Sequence, residues 1–243
     1  MSRHDNAQRE TLQLTPRLAG LAALAPFGTR LADIGTDHGK LPIALLLSGQ
    51  ITAAIGSDVR EGPLSHAAKN ADAYGVALPL RLAPGLSAIR PEECDTISIA
   101  GMGGETIAEI LSAAPWTSNG KHLLLLQPMT MIPLLRQWLW ANGYQIVRET
   151  LCREGKRWYV ILSAYGGGER RNQSLSACVV SPALLQATHA DQYLSQLLDK
   201  AKHILSNMER GCNVTSIKLS EQRETIQVLQ DALQTLRKKN NKT

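Results

Sequence analysis

Between Leu31 and about Ser163, short apolar runs alternate with longer segments of helical character. "RLADI" reads as a strand and "KLPIALLLS" as a helix with Pro42 in its first turn. "ITAAIGSD" predicts a second strand, and "GPLSHAAKNADAYG" a helix that Gly75 closes. "LPLRLA" and "DTISIA" follow as third and fourth strands, the latter leading into the helix "GETIAEILSAA". "HLLLLQ" is a fifth strand and "MIPLLRQWLWANG" its helix. "YQIVRETL" and "RWYVILSAY", with "CREGK" between them, predict a hairpin. Such alternation builds a parallel sheet with helices on both faces. Sheets of this kind bind ligands beyond the carboxyl ends of their strands, where the strand order switches.

After "GGGERRNQS" the texture changes. From 182 to 239 there is one glycine, Gly211, and one proline, Pro182. Leu194, Leu197, Ala201, Ile204, Leu205 and Met208 recur at three- and four-residue steps, as do Ile226, Leu229, Leu233 and Leu236. Two amphipathic helices joined around "RGCNVTS" are expected, packed as an antiparallel hairpin or coiled coil. A chain of 243 residues that is 44% apolar can bury a sizeable core. Its net charge of +5 permits an anionic partner. Cys94, Cys152, Cys178 and Cys212 are too far apart in sequence for a zinc knuckle or redox pair and read as ordinary thiols, with no metal expected. "LPIALLL" and "HLLLLQ" fall short of the roughly 20 residues of a membrane span. The polar start "MSRHDNAQRE" has no signal-peptide core, so a cytoplasmic, soluble protein is expected.

The chemistry lies in the loops after the strands. Gly35 and Gly39 let the backbone approach a ligand closely. Asp37 stands where dinucleotide binders carry glycine. A carboxylate there repels a pyrophosphate but suits the ammonium and sulfonium of S-adenosylmethionine. Asp58 ends the second strand 25 residues after Asp33, where an acid can accept from both hydroxyls of a ribose. A helix cap or a solvated loop charge is the plainer reading of that acid. "IAGMGGET", residues 99 to 106, spends three glycines within four residues at a strand end. That costs backbone entropy, which either the approach of an acceptor base or a tight strand-to-helix turn accounts for. The terminal hairpin sets the pattern apart from an ordinary dinucleotide-binding fold. It resembles the class I methyltransferase variant, an α/β Rossmann-like mixed sheet.

"ADIGTDHGKLPI", "EGPLSHAAKN", "IAGMGGETIAEIL", "LLLQP" and "LRQWLWANGYQIVRE" appear in that order, and the likeness extends into "SLSACVVSPAL" and the helical tail. Over nearly its whole length the chain resembles the bacterial tRNA (adenine-22-N1)-methyltransferases. The resemblance implies S-adenosylmethionine as donor, tRNA as substrate, a methyltransferase domain over 1–166 and a helical coiled-coil domain over 167–243. It implies Asp33, Gly35, Thr36, Asp37, Asp58, Val59, Ala100 and Gly101 for the cofactor. It implies Asp37, His38, Met102 and Gly103 at the reacting centre, with Met102 and Gly103 where the target base enters. Asp37 either stabilises charge developing on the base or binds the cofactor amino group. His38 either contacts the base or caps the following helix, and Asp33 orders the loop. Arg136, Arg153, Lys156, Arg157, Arg170, Arg171, Arg237, Lys238 and Lys239 are candidate tRNA contacts. The family usually carries G-D-G-L after the third strand, whereas this chain has Ala83 and Pro84 in "LAPGLS". Backbone groups and apolar packing are left to hold the cofactor adenine there, with lower affinity expected. A methyltransferase for another RNA base or a small molecule, and a non-catalytic RNA-binding module, are the competing functions. Oligomeric state is not legible.

Overall fold

Among the described residues, Thr15 begins the regular structure by capping a helix that the strand–helix pattern did not predict. This helix, α1 (Pro16–Leu24), has Pro16 in its first turn, and the Thr15 hydroxyl accepts from the Leu18 amide. The structure, a computed structural model, describes residues 12–210 and 214–240. Gly211, Cys212 and Asn213 of the "RGCNVTS" joint lie outside the described residues.

Two units make up the chain, residues 1–98 and 99–243. In the first, β1 (Thr29–Ile34) leads to α2 (Lys40–Leu47), and β2 (Ile51–Asp58) leads to α3 (Glu61–Tyr74) and the short β3 (Leu80–Leu82). β1 and β2 are parallel, with Asp33 opposite Gly56 and Ile34 opposite Ser57. β2 and β3 are parallel as well. α2 buries Leu41, Pro42, Ile43 and Leu45. α3 ends where the sequence placed its stop, at Gly75 in the left-handed conformation. β4 (Thr96–Gly103) begins in this unit and continues into the next; it runs three residues past the predicted "DTISIA".

The second unit continues with α4 (Gly104–Ser112), β5 (Leu123–Thr130), α5 (Ile132–Ala141), β6 (Gln145–Glu154) and β7 (Arg157–Tyr165). Its core includes Ile99, Leu124, Leu125, Leu126, Leu135, Leu139, Val160, Ile161 and Leu162. β5 pairs antiparallel with β7. β6 and β7 form the predicted hairpin, with a turn tighter than "CREGK": Glu154 still pairs with Arg157, leaving Gly155 and Lys156 at the tip. The seven strands are ordered β3-β2-β1-β4-β5-β7-β6, so the sheet is mixed, as expected.

α6 (Ala190–Arg210) and α7 (Ser216–Asn240) are the two expected helices. They lie antiparallel: Gln222 donates to the Ala201 carbonyl, and Leu233 and Leu236 face Asp191 to Asp199. α6 buries Tyr193, Leu194, Leu198 and Ala201, and α7 buries Leu229, Ala232, Leu233 and Leu236. Ile204, expected on the apolar stripe, is exposed instead. The buried stripe drifts to Leu198 and Ala201 and leaves Ile204 on the solvent side.

Candidate active site

In the first unit, β1 delivers Asp33, which is 6% exposed. Burial pushes its carboxyl up to about 6, opposed in part by the Thr36 hydroxyl, which donates at 2.8 Å. The chain then turns sharply. The Gly35 and Thr36 amides both donate to the Ser57 carbonyl, at 2.8 and 3.0 Å. These two bonds bring the 33–36 loop beside the end of β2. Gly35, Asp37 and Gly39 all adopt positive φ. Aspartate tolerates that conformation better than most residues, which makes its place here informative. The Asp37 carboxylate is exposed and lies 3.7 Å from His38 Nε2. The His38 ring stacks on His66 from α3, centroids 5.0 Å apart, and the His38 carbonyl accepts from Asn70 one turn further along α3.

Asp58 is 7% exposed at the end of β2 and accepts from the Arg60 amide at 3.1 Å. That local bond fits the plainer loop-acid reading and leaves the carboxylate at the carboxyl edge of the sheet. Val59 beside it is exposed. In "LAPGLS" the Ala83 amide donates to the Asp58 carbonyl at 3.0 Å, so backbone groups continue the edge there.

In the second unit, Ala100, Gly101, Met102 and Gly103 form the end of β4, so they are strand rather than loop. Gly101 has φ +78° and donates its amide to Gln127 Oε1 at 3.1 Å. At Gly104 an added Cβ would sit 2.5 Å from the Met131 carbonyl oxygen, so only glycine fits. Gly104, the last glycine of "AGMGG", thus serves a close backbone approach within the protein itself. Gln127 was missed by the sequence reading. Its signal was a lone amide closing the apolar run "HLLLLQ".

Arg136 is not available to RNA. It is 1% exposed and forms a two-pronged bond with Glu149, at 2.9 and 2.6 Å. Burial works against its charge and Glu149 more than offsets this, holding its pKa above the ordinary value. It also donates to the Cys178 and Val179 carbonyls, while Ser181 donates to Glu149. The remaining basic candidates are exposed, though several have partners. Arg153 donates to the Gly155 carbonyl and lies over the Trp158 ring; Arg171 lies 3.8 Å from Glu169, and Lys239 reaches Gln186. Cys94, Cys152 and Cys178 are free thiols. Among the described residues no helix is long and apolar enough to cross a membrane.

A parallel sheet with acids at the ends of its first two strands, followed by an antiparallel hairpin, defines a methyltransferase domain, and residues 14–162 match the family model described as "Methyltransferase domain". The chain is 33% identical over 205 residues to the tRNA (adenine(22)-N(1))-methyltransferase of Bacillus subtilis (strain 168), covering 82% of this chain and 86% of that one. It belongs to that family. The crystal structure of the B. subtilis M1A22 tRNA methyltransferase matches with a TM-score of 0.80 and 29% identity, over 91% of this chain and 99% of that one. The M. capricolum TrmK structure, in complex with its cofactor product S-adenosyl-homocysteine, matches with a TM-score of 0.75 and 25% identity, over 92% and 99%.

Proposed function

We propose that this chain transfers a methyl group from S-adenosylmethionine to N1 of the adenine at position 22 of tRNA, in the cytoplasm. The observation that carries the reading is the family match combined with the acid set. Asp33 and Asp58 are buried at successive strand ends, and Asp37 stands exposed in the turn between. Carboxylates suit an ammonium and a pair of ribose hydroxyls, and would repel a pyrophosphate. The cofactor therefore fits the residues present. Asp33, Gly35, Thr36 and Asp37 would hold its methionine part, and Asp58 and Val59 its nucleoside. Ala100 and Gly101 complete the set. When bound, S-adenosylmethionine supplies an electrophilic methyl group on a sulfonium.

The adenine N1 lone pair needs no proton removed before attack. The protein's task is to hold the base in line and exclude water. We assign Met102 and Gly103 to the place where the base enters. The methylated ring is cationic, and the Asp37 carboxylate either stabilises that charge or binds the cofactor amino group. His38 contacts the base or steadies the loop through His66. A base within the folded tRNA core must leave its stack to react, so recognition rests on shape and phosphates. We assign the phosphate contacts to the exposed Lys156, Arg157, Arg170, Arg237 and Lys238, and divide the labour between a catalytic part over 1–166 and a tRNA-holding part over 167–243.

The test is methylation of an unmodified tRNA transcript with adenine at position 22, read by nucleoside mass spectrometry. N1-methyladenosine that disappears when this adenine is replaced by guanine is the expected result. Methylation that persists after the replacement would move the target elsewhere.

A further inference from the structure

Gln127 is fully buried at the end of an apolar strand run. A buried amide costs free energy unless its donors and acceptor are paired. Its Oε1 accepts from the Gly101 amide at 3.1 Å, and its Nε2 donates to the Pro128 carbonyl at 2.9 Å. The same Nε2 lies 3.5 Å from Met129 Sδ. Gly101 has positive φ, a conformation glycine adopts readily, and the Gln127 side chain is the partner of its N–H. Beyond this bond the two segments stay close, since a Cβ at Gly103 would lie 3.3 Å from Thr130 Oγ1. Met102 is half-buried and Met129 is 39% exposed, one on each tied segment.

We infer that Gln127 is a positioning residue for the acceptor base: its side chain ties the Gly101 peptide to the Pro128–Met129 segment and so fixes Met102, Gly103 and Met129 as one wall. The inference rests on the reading in which the base enters at Met102 and Gly103. A base held in line by this wall loses alignment when the tie is cut, while phosphate-driven tRNA binding persists.

The experiment compares wild type, Gln127→Leu and Gln127→Glu in steady-state methylation of the adenine-22 transcript, with cofactor affinity from calorimetry. Gln127→Leu is expected to lose about tenfold to a hundredfold in kcat, the scale of a small misalignment. Its KM for tRNA should stay within about twofold of wild type, and kcat is read at saturating S-adenosylmethionine, so that any loss of cofactor affinity through Gly101 is measured separately by calorimetry. A buried glutamic acid in neutral form accepts and donates as the amide does. The kcat of Gln127→Glu should therefore recover toward wild type as pH falls to about 5 to 6. Should Gln127→Leu unfold, that pH profile alone decides. A wild-type kcat in Gln127→Leu, or a Gln127→Glu profile parallel to wild type, overturns the inference while the function stands. Absence of transfer by wild type overturns the function and the inference together.

Discussion

If Asp33 holds the cofactor as proposed, it couples cofactor binding to a proton. Its carboxyl is raised from the ordinary 3.8 to about 6, chiefly by burial. If it faces the cofactor ammonium, the bound state requires it ionised. Below pH 6 a proton must then leave before binding, and each pH unit costs about 1.4 kcal/mol. With a free-state value of about 6 and a bound-state value below about 4, Kd should rise about tenfold from pH 7 to pH 5. Asp33→Asn keeps an acceptor for the Thr36 hydroxyl and removes the titration, so its Kd should be flat over that range. Calorimetry in two buffers of different ionisation enthalpy measures both the affinity and the protons released. A flat wild-type Kd, or an equal slope in Asp33→Asn, would refute the reasoning. The same group predicts stability without cofactor. Its folded value lies above its unfolded one, so its contribution is fully present below about pH 4. It is lost as pH rises through 6, about 3 kcal/mol between the limits. Thermal unfolding should find Asp33→Asn gaining on wild type as pH rises from about 4 to 7.

Asp37→Ala should lower turnover at least about tenfold. Asp37→Asn tolerates the same left-handed backbone, so an equal loss in steady-state kinetics assigns the effect to charge, and a wild-type rate would reduce Asp37 to a loop former. Arg136→Met alone strands the Glu149 charge and should destabilise by about 3 to 5 kcal/mol in denaturant titration. The pair Arg136→Met with Glu149→Leu should recover a large part of that loss, and no recovery would mean that the Cys178 and Val179 carbonyls carry the cost. A chain ending after His189 keeps the buried ion pair and should bind S-adenosylmethionine as wild type does while losing tRNA affinity in filter binding. Undiminished tRNA binding would make α6 and α7 a stability or dimerisation element.

Most of the fold was legible because strand and helix periods are local properties. β2 begins and ends where "ITAAIGSD" does, and Gly75 stops α3 by its conformation alone. α1 was missed although Thr15 and Pro16 are ordinary start signals, because only Leu21 of that helix is buried and its apolar stripe is weak. The acids of the site were visible as acids at strand ends. What they touch was not, since the Ser57 carbonyl that anchors Gly35 and Thr36 lies 21 and more residues away in sequence. Arg136 failed as an RNA contact for the same reason. Nothing near an arginine in sequence announces a glutamate 13 residues on, or carbonyls 42 and 43 residues on, that will enclose it.

The buried Arg136–Glu149 pair also decides where the chain can be cut and rejoined. Residues 178 to 181 supply two carbonyls and a hydroxyl to it, and the Ser181 hydroxyl in turn accepts from the Leu184 amide. The path from the hairpin to the helical tail is therefore riveted to α5 and β6 before α6 begins. A chimera that imports a relative's helical hairpin should splice after this rivet, near residue 187. Spliced at 168, it would need the donor to bring the matching carbonyls and serine, and would otherwise leave a guanidinium sealed in the interior with half its partners gone.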